Sequence, residues 1–280
     1  MTTVAAALRD ARARGLARLD AQLLLAHVLG RPRAWLLAHD VEALAPAAAA
    51  AYAALVERRA AGVPFAYLVG EREFHGLTLT VSDAVLVPRP DTETLVEWAL
   101  ALLAGPLDAH PRPRVVDLGT GSGAIALALK AACPRAEVWA LERSDAALAV
   151  ARANAQRLGL DVRFAHGDWW QALPDDAPRF ELAVSNPPYI APDDPHLAAL
   201  VHEPRAALVA ADDGLADIVR IARGAPARLA PGGWLLFEHG WEQAGEVRRT
   251  LVSAGFGDVS TRTDIAGRPR CSGGRLDTAA

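Results

Sequence analysis

The nine residues Val115-Val116-Asp117-Leu118-Gly119-Thr120-Gly121-Ser122-Gly123 decide the fold of this 280-residue chain. Their apolar first half predicts a buried strand, their three alternate glycines predict a tight turn, and the run 124–132 that follows predicts a helix. Glycines in such a turn let a ligand approach the backbone closely, as in nucleotide-binding folds. Because dinucleotide-binding folds use a related turn, the stretch predicts a ligand site but leaves the ligand open.

Strands and helices alternate along the chain around this turn. Apolar patterning predicts strands at 114–118, 137–141, 162–166, 180–185 and 233–238, and helices at 124–132, 145–158 and 214–229. The segment 258–263 and the residues near Arg275 are candidates for edge strands. Alternation of this kind implies an α/β fold with a mostly parallel sheet and helices on both faces.

Polar residues follow four successive predicted strands, at the edge of the sheet where open α/β folds bind ligands. Asp117 would repel a pyrophosphate but suits a ligand that carries an ammonium and a sulfonium, as S-adenosylmethionine does. Glu142, about 20 residues on, is placed to accept hydrogen bonds from a ribose diol. Asp168 and Trp169 follow the third strand, where an indole can lie against adenine and the carboxylate can meet its amino edge. Singly, Glu142 could be a helix-capping acid and Trp169 a core ring. Together with Asn186 after the fourth strand, they predict a cofactor site.

The fourth of these strands ends in Ser185-Asn186-Pro187-Pro188-Tyr189. Neither proline can donate to a sheet ladder, so the strand stops here and the prolines hold Asn186 and the neighbouring carbonyls in one orientation. An asparagine oxygen beside a backbone carbonyl can accept both hydrogens of one planar NH2 group, and Tyr189 offers a flat face to that group. In isolation the motif would be a strand-terminating turn. Beside the predicted cofactor site, it predicts a clamp that holds an amide or aromatic amine nitrogen for chemistry.

The chain before residue 90 has a different pattern. Residues 1–70 predict a helical module, because apolar residues recur there at helical spacing without a cluster of catalytic polar residues. Residues 71–89 predict a β-hairpin linker whose turn lies at Ser82-Asp83, since apolar residues alternate on both sides of it. A helix with Asp91 or Thr92 as its N-cap then opens the third region, residues 90–280.

Composition limits the classes of function. The net charge is −4, with 29 Lys and Arg against 33 Asp and Glu, and the arginines are interspersed with acids, unlike the basic face of a nonspecific nucleic-acid binder. No run approaches the ~18 consecutive apolar residues of a membrane span, and residues 1–15 lack the apolar core of a signal peptide. Cys133 and Cys271 have no metal-ligand spacing and fit a reducing compartment. We expect a cytoplasmic protein without a metal and without direct contact to membrane or nucleic acid.

Six motifs spread over nearly the whole chain occur together in one known family. They are Pro64-x-x-Tyr67 with Gly70 and Phe74, Val87-Pro88-Arg89-Pro90-Asp91-Thr92-Glu93, the glycine turn 117–123, Asp168-Trp169, the proline motif 186–189 and Glu203-Pro204. On these motifs the chain resembles the protein N5-glutamine methyltransferases of peptide chain release factors (the HemK/PrmC family). The run 88–93 together with 186–189 is highly specific. Glu142 departs from the aspartate common in the family, which lengthens the side chain but keeps its chemistry.

The resemblance implies a class I, Rossmann-like methyltransferase domain, preceded by the helical module 1–70 for substrate recognition and by the hairpin. It implies S-adenosyl-L-methionine as methyl donor, S-adenosyl-L-homocysteine as product, and as substrate the side-chain amide nitrogen of the glutamine in the Gly-Gly-Gln motif of release factors. By motif position, the residues implied in cofactor binding are Gly119, Thr120, Gly121, Ser122, Gly123, Glu142, Trp169 and Asn186. Those implied to hold the glutamine are Asn186, Pro187, Pro188 and Tyr189. Asn186, Pro187 and Tyr189 are also the implied catalytic residues.

Orienting the amide nitrogen is the main task of such an enzyme, because the lone pair of that nitrogen is delocalised into the carbonyl. If Asn186 Oδ1 and the Pro187 carbonyl accept its two N–H groups, the π-face of the nitrogen points at the sulfonium methyl. Such orientation can supply about 7–11 kcal/mol in favourable model cases, and the two acceptors stabilise the developing positive charge. His239 is a candidate base by location, but a lone histidine at a strand end is more often structural. Proton loss to water is the default expectation.

Three other functions fit parts of the pattern. A sister family methylates a ribosomal-protein glutamine with the same Asn-Pro-Pro-Tyr motif, but the run 88–93 favours the release-factor branch. The exocyclic amine of adenine in DNA or RNA presents the same NH2 geometry, but its methylation requires base flipping and phosphate contacts, which the balanced charge disfavours. A non-catalytic binding module on the same scaffold predicts a degraded glycine turn or clamp, and both are intact in this sequence.

Overall fold

A computed structural model describes residues 2–277. The chain forms two compact units, Met1–Glu71 and Arg72–Ala280. The first unit consists of five helices: α1 (Val4–Ala13), α2 (Arg18–Leu29), α3 (Arg33–Ala38), α4 (Pro46–Ala60) and α5 (Phe65–Val69). Among residues 2–277, no helix is long and apolar enough to cross a membrane.

Local signals in the sequence explain where these helices begin and end. The Thr3 hydroxyl caps α1 by accepting a hydrogen bond from the Ala6 N–H at 3.2 Å. Gly30 ends α2 in the left-handed conformation, with φ 60°. The Tyr52 hydroxyl donates to the Ala21 carbonyl at 3.0 Å inside the apolar core of the unit, which joins α4 to α2.

The second unit is an α/β fold introduced by a hairpin. Its strands are β1 (Glu71–Phe74), β2 (Leu77–Thr80), β3 (Arg114–Leu118), β4 (Glu137–Glu142), β5 (Arg163–His166), β6 (Phe180–Ser185), β7 (Leu229–Glu238), β8 (Phe256–Thr263) and β9 (Pro269–Leu276). Its helices are α6 (Glu93–Leu103), α7 (Ala124–Ala132), α8 (Asp145–Leu158), α9 (Ala211–Gly214), α10 (Ala216–Arg228) and α11 (Ala244–Ser253).

Seven of these strands form one sheet in the order β5-β4-β3-β6-β7-β9-β8. The strands β5, β4, β3, β6 and β7 are parallel, and β9 runs antiparallel to both β7 and β8. From β3 the chain proceeds to one side through β4 and β5, and then returns to β6 on the other side. The point between β3 and β6 is therefore the topological switch point, where open α/β sheets bind ligands.

Apolar side chains of both faces of the sheet enter separate cores. On β3, Val115 packs into the core that includes residues of α6 and α7, whereas Val116 packs into the core that includes residues of α10 and α11. This alternation follows from the two-residue period of a strand. Helices on both faces confirm the predicted α/β architecture. Both predicted additional strands are present as β8 and β9, but only β8 lies at the edge, because β9 pairs with both β7 and β8.

The predicted hairpin turn at Ser82-Asp83 is wrong. The two strands of the hairpin, β1 and β2, meet at His75-Gly76, where both residues have positive φ angles of 47° and 78°. Glycine adopts this conformation without strain, and the Gly76 N–H also donates to Glu73 Oε1 at 2.7 Å. The segment 84–86 forms a loop and not a strand, and all three of its residues line a cavity.

Candidate active site

A cleft opens at the carboxyl ends of β3, β4 and β6, with an empty volume of about 1020 Å³ including the part open to solvent. The cleft lies where open α/β sheets bind ligands. The sequence-predicted site residues on its wall are Gly119, Thr120, Gly121, Ser122, Glu142, Trp169, Asn186 and Pro188. Three others, Gly123, Pro187 and Tyr189, lie outside this wall.

The glycine turn places backbone against the cleft. The Gly119 and Thr120 N–H groups both donate to the Leu141 carbonyl at 2.9 Å, which ties the turn to β4. A Cβ at Gly121 would meet no atom within 4 Å, so this glycine faces open space. A Cβ at Gly123 would instead lie 2.9 Å from the Leu127 side chain, so this third glycine permits packing within α7. The φ angles of the three glycines are 78°, 57° and 86°.

Asp117 stabilises the glycine turn through hydrogen bonds. It is fully buried, and its Oδ2 accepts hydrogen bonds from Thr120 Oγ1 at 2.6 Å and from the Ala126 N–H at 3.2 Å. Burial raises the pKa of its carboxyl to about 7. Its interpretation as a fixed charge facing the ligand is wrong, because the side chain points into the fold and does not reach the cleft wall.

Glu142 is held in place by two backbone donors. Its Oε2 accepts from the Gly121 N–H and its Oε1 from the Ser144 N–H, both at 2.9 Å. An ionised carboxylate offers about four acceptor positions, so each oxygen keeps one for a ligand hydroxyl. The side chain thus joins the end of β4 to the glycine turn and still presents acceptors at the cleft wall.

Asp168 and Trp169 form the next part of the wall. Trp169 is a non-glycine residue with a positive φ of 49°, and strained backbone of this kind clusters at functional sites. Its ring lies against Gly119, where a Cβ would come within 2.9 Å of it, and its Nε1 donates to Asp217 Oδ1 at 3.2 Å. Asp168 Oδ2 pairs with Arg220 at 2.6 Å, whereas its buried Oδ1 has no partner within the described residues.

Asn186 lies beside the glycine turn. The register pairs Leu118 with Ser185 on β3 and β6, so the residues that follow these two strands are neighbours, and the Ser185 hydroxyl donates to the Leu118 carbonyl at 2.7 Å. Asn186 Nδ2 donates to Thr92 Oγ1 at 3.3 Å. The sequence alone had not singled out this contact, which joins positions 94 residues apart.

Tyr189 is anchored behind the cleft wall. Its hydroxyl donates to Glu238 Oε1 at 3.4 Å, and its carbonyl accepts from Gln243 Nε2 at 3.0 Å. Burial raises the pKa of the Tyr189 hydroxyl and also raises the pKa of Glu238 to about 7. Glu238, at the end of β7, is a further buried acid near the proline motif that sequence reasoning missed.

His239 has a structural role. The residue is fully buried, with Nδ1 2.8 Å from the Gly240 carbonyl and Nε2 2.8 Å from the Ser272 hydroxyl. Burial lowers the pKa of the ring, which favours the neutral form. With both nitrogens engaged and no place on the cleft wall, His239 is not a general base for a ligand in this cleft.

Two motifs that are distant in sequence meet beside the cleft. The Glu203 carboxylate accepts a hydrogen bond from the Val87 N–H at 3.1 Å and pairs with the Arg89 guanidinium. Arg89 and Pro204 line the cleft. Across residues 2–277, no group of three His, Cys, Asp or Glu side chains could hold a metal ion, and Cys133 and Cys271 are buried free thiols.

Comparison with known proteins assigns the chain to a family. Residues 1–70 match the PrmC N-terminal domain, and residues 93–219 match the methyltransferase small domain. The release factor glutamine methyltransferase of Bordetella pertussis is 56% identical over 94% of this chain and 96% of its own length. That of Escherichia coli (strain K12) is 45% identical over 92% of each chain. The chain belongs to the release factor glutamine methyltransferase family. Members of this family are S-adenosylmethionine-dependent methyltransferases.

Solved structures of other methyltransferases share the fold of this family member. A methyltransferase from Pyrococcus furiosus aligns with a TM-score of 0.52 at 17% identity, over 72% of this chain and 90% of its own. A 16S rRNA N2 methyltransferase of T. thermophilus, in complex with AdoMet and guanosine, aligns with a TM-score of 0.54 at 22% identity, over 74% of this chain and 49% of its own. At these identities the likeness concerns the fold alone.

Proposed function

We propose that this enzyme transfers the methyl group of S-adenosyl-L-methionine to the side-chain amide nitrogen of the glutamine in the Gly-Gly-Gln motif of peptide chain release factors. The observation that carries the proposal is the position of Asn186, which stands in the wall of the cleft next to the glycine turn. An amide acceptor adjoining this cleft is suited to hold the NH2 group of a glutamine. The family membership supports the same substrate.

The cleft fits the proposed cofactor by its chemistry. The open space at Gly121 allows close approach of a ligand to the backbone. The remaining acceptor positions of Glu142 suit a ribose diol, and the unpartnered Oδ1 of Asp168 suits the amino edge of an adenine lying against Trp169. Thr120 and Ser122 complete the turn around this ligand. Gly123 contributes through the packing of α7 and not through contact.

Asn186, Pro187 and Tyr189 are proposed as the catalytic residues and, with Pro188, as the glutamine-binding residues. When bound, S-adenosylmethionine supplies an electrophilic methyl group on a sulfonium. Asn186 Oδ1 and the Pro187 carbonyl accept the two N–H groups of the glutamine and direct the nitrogen π-face toward that methyl. The same oxygens stabilise the positive charge that develops as the nitrogen–carbon bond forms. One amide proton is then lost to water, since His239 is engaged elsewhere.

The two-part chain suggests a division of labour. We assign release-factor recognition to residues 1–70, methyl transfer to residues 90–280, and the role of a linker to residues 71–89. The match of residues 1–70 to a domain separate from the methyltransferase domain supports this assignment. Because release factors act on ribosomes, we place the enzyme in the cytoplasm.

Incubation with labelled S-adenosylmethionine tests the proposed substrate. Separate reactions contain a release factor, the same release factor with asparagine for the Gly-Gly-Gln glutamine, a ribosomal protein, and DNA. We expect label only on the unaltered release factor, because the clamp must reach a glutamine NH2 at the methyl group. Label on the ribosomal protein or on DNA, with none on the release factor, would refute the proposed function.

A further inference from the structure

One side of helix α10 contacts the three consecutive residues Asp168, Trp169 and Trp170. The contacts come from residues at the spacing i, i+3, i+4 and i+7, which are Asp217, Arg220, Ile221 and Gly224. Residues at this spacing lie along one side of a helix. Asp168 and Trp169 line the cleft, whereas the four contacting residues of α10 do not. The helix therefore supports this part of the cleft wall from outside the cleft.

Trp170 packs tightly against the helix. Its Nε1 donates a hydrogen bond to the Ile221 carbonyl at 2.8 Å. A Cβ at Gly224 would lie 2.5 Å from the Trp170 ring, so a larger residue at this position would push the ring away. Glycine within a helix is less stable than alanine, and the close contact with Trp170 gives a specific reason for its presence here. The segment 168–170 is thus attached to α10 at its last residue.

Trp169 is held on two sides. One part of its ring packs against Gly119, and its Nε1 donates to Asp217 Oδ1 at 3.2 Å. Its backbone has a φ of 49°, a conformation that persists in a bulky residue only where the surrounding structure holds it. Because one part of the ring is packed and its N–H is hydrogen-bonded, the bond to Asp217 fixes the rotation of the indole at the cleft wall.

Arg220 orients the carboxylate of Asp168. The Arg220 guanidinium lies 2.6 Å from Asp168 Oδ2, whereas Oδ1 is buried and has no partner within the described residues. A buried carboxylate oxygen without a donor is unfavourable, so Oδ1 suits a ligand that brings a donor. A purine with an exocyclic amino group carries such a donor, and the same purine with hydrogen in its place does not. The ion pair thus leaves one acceptor that distinguishes these bases.

We infer that Asp217 and Arg220 are positioning residues of the cofactor site and that Arg220 makes this site selective for a base with an exocyclic amino group. Asp217 fixes the indole of Trp169, and Arg220 directs Asp168 so that Oδ1 is left for the ligand. The inference rests on the proposed binding of S-adenosylmethionine in this cleft, because its adenine carries such an amino group. Since neither residue lines the cleft, each acts through the neighbour that it holds.

Two ligands that differ in one group test the role of Arg220. They are S-adenosyl-L-homocysteine and its analogue with hydrogen in place of the 6-amino group. By calorimetry, we expect the wild type to bind the amino compound roughly 10- to 100-fold more tightly, because the analogue leaves Asp168 Oδ1 unpaired. R220M releases Asp168 and should reduce this ratio roughly fivefold. R223M, at an exposed position of the same helix and outside the cleft wall, should keep the wild-type ratio.

The ratio of the two affinities separates positioning from a structural role of Arg220. A residue that only stabilises the fold would weaken the binding of both compounds alike and leave the ratio unchanged. An unchanged ratio in R220M, or equal binding of the two compounds by the wild type, would overturn the inference and leave the proposed function intact.

Two substitutions of similar size test the role of Asp217. Both D217N and D217L remove the carboxylate, but only asparagine keeps a side-chain oxygen that can accept from the indole N–H. We expect D217L to bind S-adenosyl-L-homocysteine roughly 5- to 10-fold more weakly than the wild type, and D217N to bind nearly as the wild type does. Equal affinities of D217L and the wild type would overturn this role.

The indole N–H of Trp169 gives a readout that needs no ligand. In ¹H–¹⁵N spectra of the ligand-free protein, its signal, assigned with W169F, should have the shift of a hydrogen-bonded indole in the wild type and D217N, and should move upfield in D217L. The same signal in all three proteins would overturn the positioning role of Asp217. If the wild type binds neither compound, the proposed cofactor assignment and the base selectivity both fail, whereas this spectrum decides by itself whether Asp217 holds the indole.

Discussion

Gly121 is the glycine of the turn that faces open space at the cleft, with a φ of 57°. Gly121→Val places a branched side chain where the cofactor must approach the backbone, so we expect cofactor affinity to fall about 10- to 100-fold. Gly159→Val is a matched control, because Gly159 ends α8 with a φ of 66°, also has open space around it and lies outside the cleft wall. Calorimetry of both variants measures the difference. Wild-type affinity in the Gly121 variant would refute this placement of the cofactor.

The buried carboxyl of Asp117 makes stability depend on pH. Its pKa is about 7 in the folded protein and about 3.9 in the unfolded chain. Between these values the unfolded state binds fewer protons, so the free energy of unfolding falls as pH rises from about 4 to about 7 and is flat above. Asp117→Asn removes this contribution and should make the fall shallower. Part of the slope should persist, because Glu238 has a raised pKa as well.

Urea unfolding of the full chain at several pH values measures this slope. The exposed Asp176→Asn serves as a control for the loss of one carboxyl and should follow the wild type. A wild-type slope in the Asp117 variant would show that the carboxyl is ionised in the folded protein throughout this range.

Site residues could be predicted from the sequence where they lie at or near the end of a predicted strand. Glu142 ends β4, Asn186 directly follows β6 and Trp169 comes shortly after β5, and the structure brings all three to one cleft. Thr92 and Glu238 could not be found in this way, because their importance lies in contacts across 94 and 49 residues of sequence. Asp117 shows the opposite error, since a charged residue near a glycine turn can serve the turn and not the ligand.

At the scale of elements, an ion pair between the buried Glu203 and the partly exposed Arg89 joins two cleft-lining loops. The Glu203 side chain is 3% exposed and holds both the Val87 N–H and the Arg89 side chain. Glu203→Ala leaves these donors without their partner, so we expect a loss of about 1–3 kcal/mol in the free energy of unfolding. The amides of residues 84–89 should also exchange faster with solvent.

Glu246→Ala provides the matched comparison, because Glu246 pairs with Arg249 on the exposed surface of α11. Exposed pairs contribute about 0–1 kcal/mol, so this variant should unfold nearly as the wild type does. Hydrogen exchange and urea unfolding of both variants distinguish the two pairs. Equal effects of the two substitutions would contradict the proposed role of Glu203 in holding the loops.

Strands and helices with a regular pattern of apolar residues could be predicted from the sequence. The position of the hairpin turn could not. The strands of the parallel sheet lie where the sequence places them, although β7 begins at Leu229, four residues before the predicted start at 233. The hairpin turn was mislocated because the apolar residues 84–86 form a loop that lines the cleft and not a strand.

For the whole molecule, the order of the strands explains why the site lies at the carboxyl ends of the parallel strands. The chain leaves β3 in one direction and returns to β6 beside it, which leaves a crevice between the connections. The alternation of strands and helices predicts this class of topology, but the pairing of β9 between β7 and β8 depends on antiparallel contacts that local patterns do not specify.

The central claim is that Asn186 orients the substrate nitrogen beside the cofactor. Single-turnover methylation of a release factor, with cofactor saturating, tests it most directly in the wild type and in Asn186→Ala. Loss of one preorganised partner should slow the reaction by roughly 10²–10³-fold, with the label in the wild-type reaction confined to the Gly-Gly-Gln glutamine. A wild-type rate in the alanine variant would contradict the account.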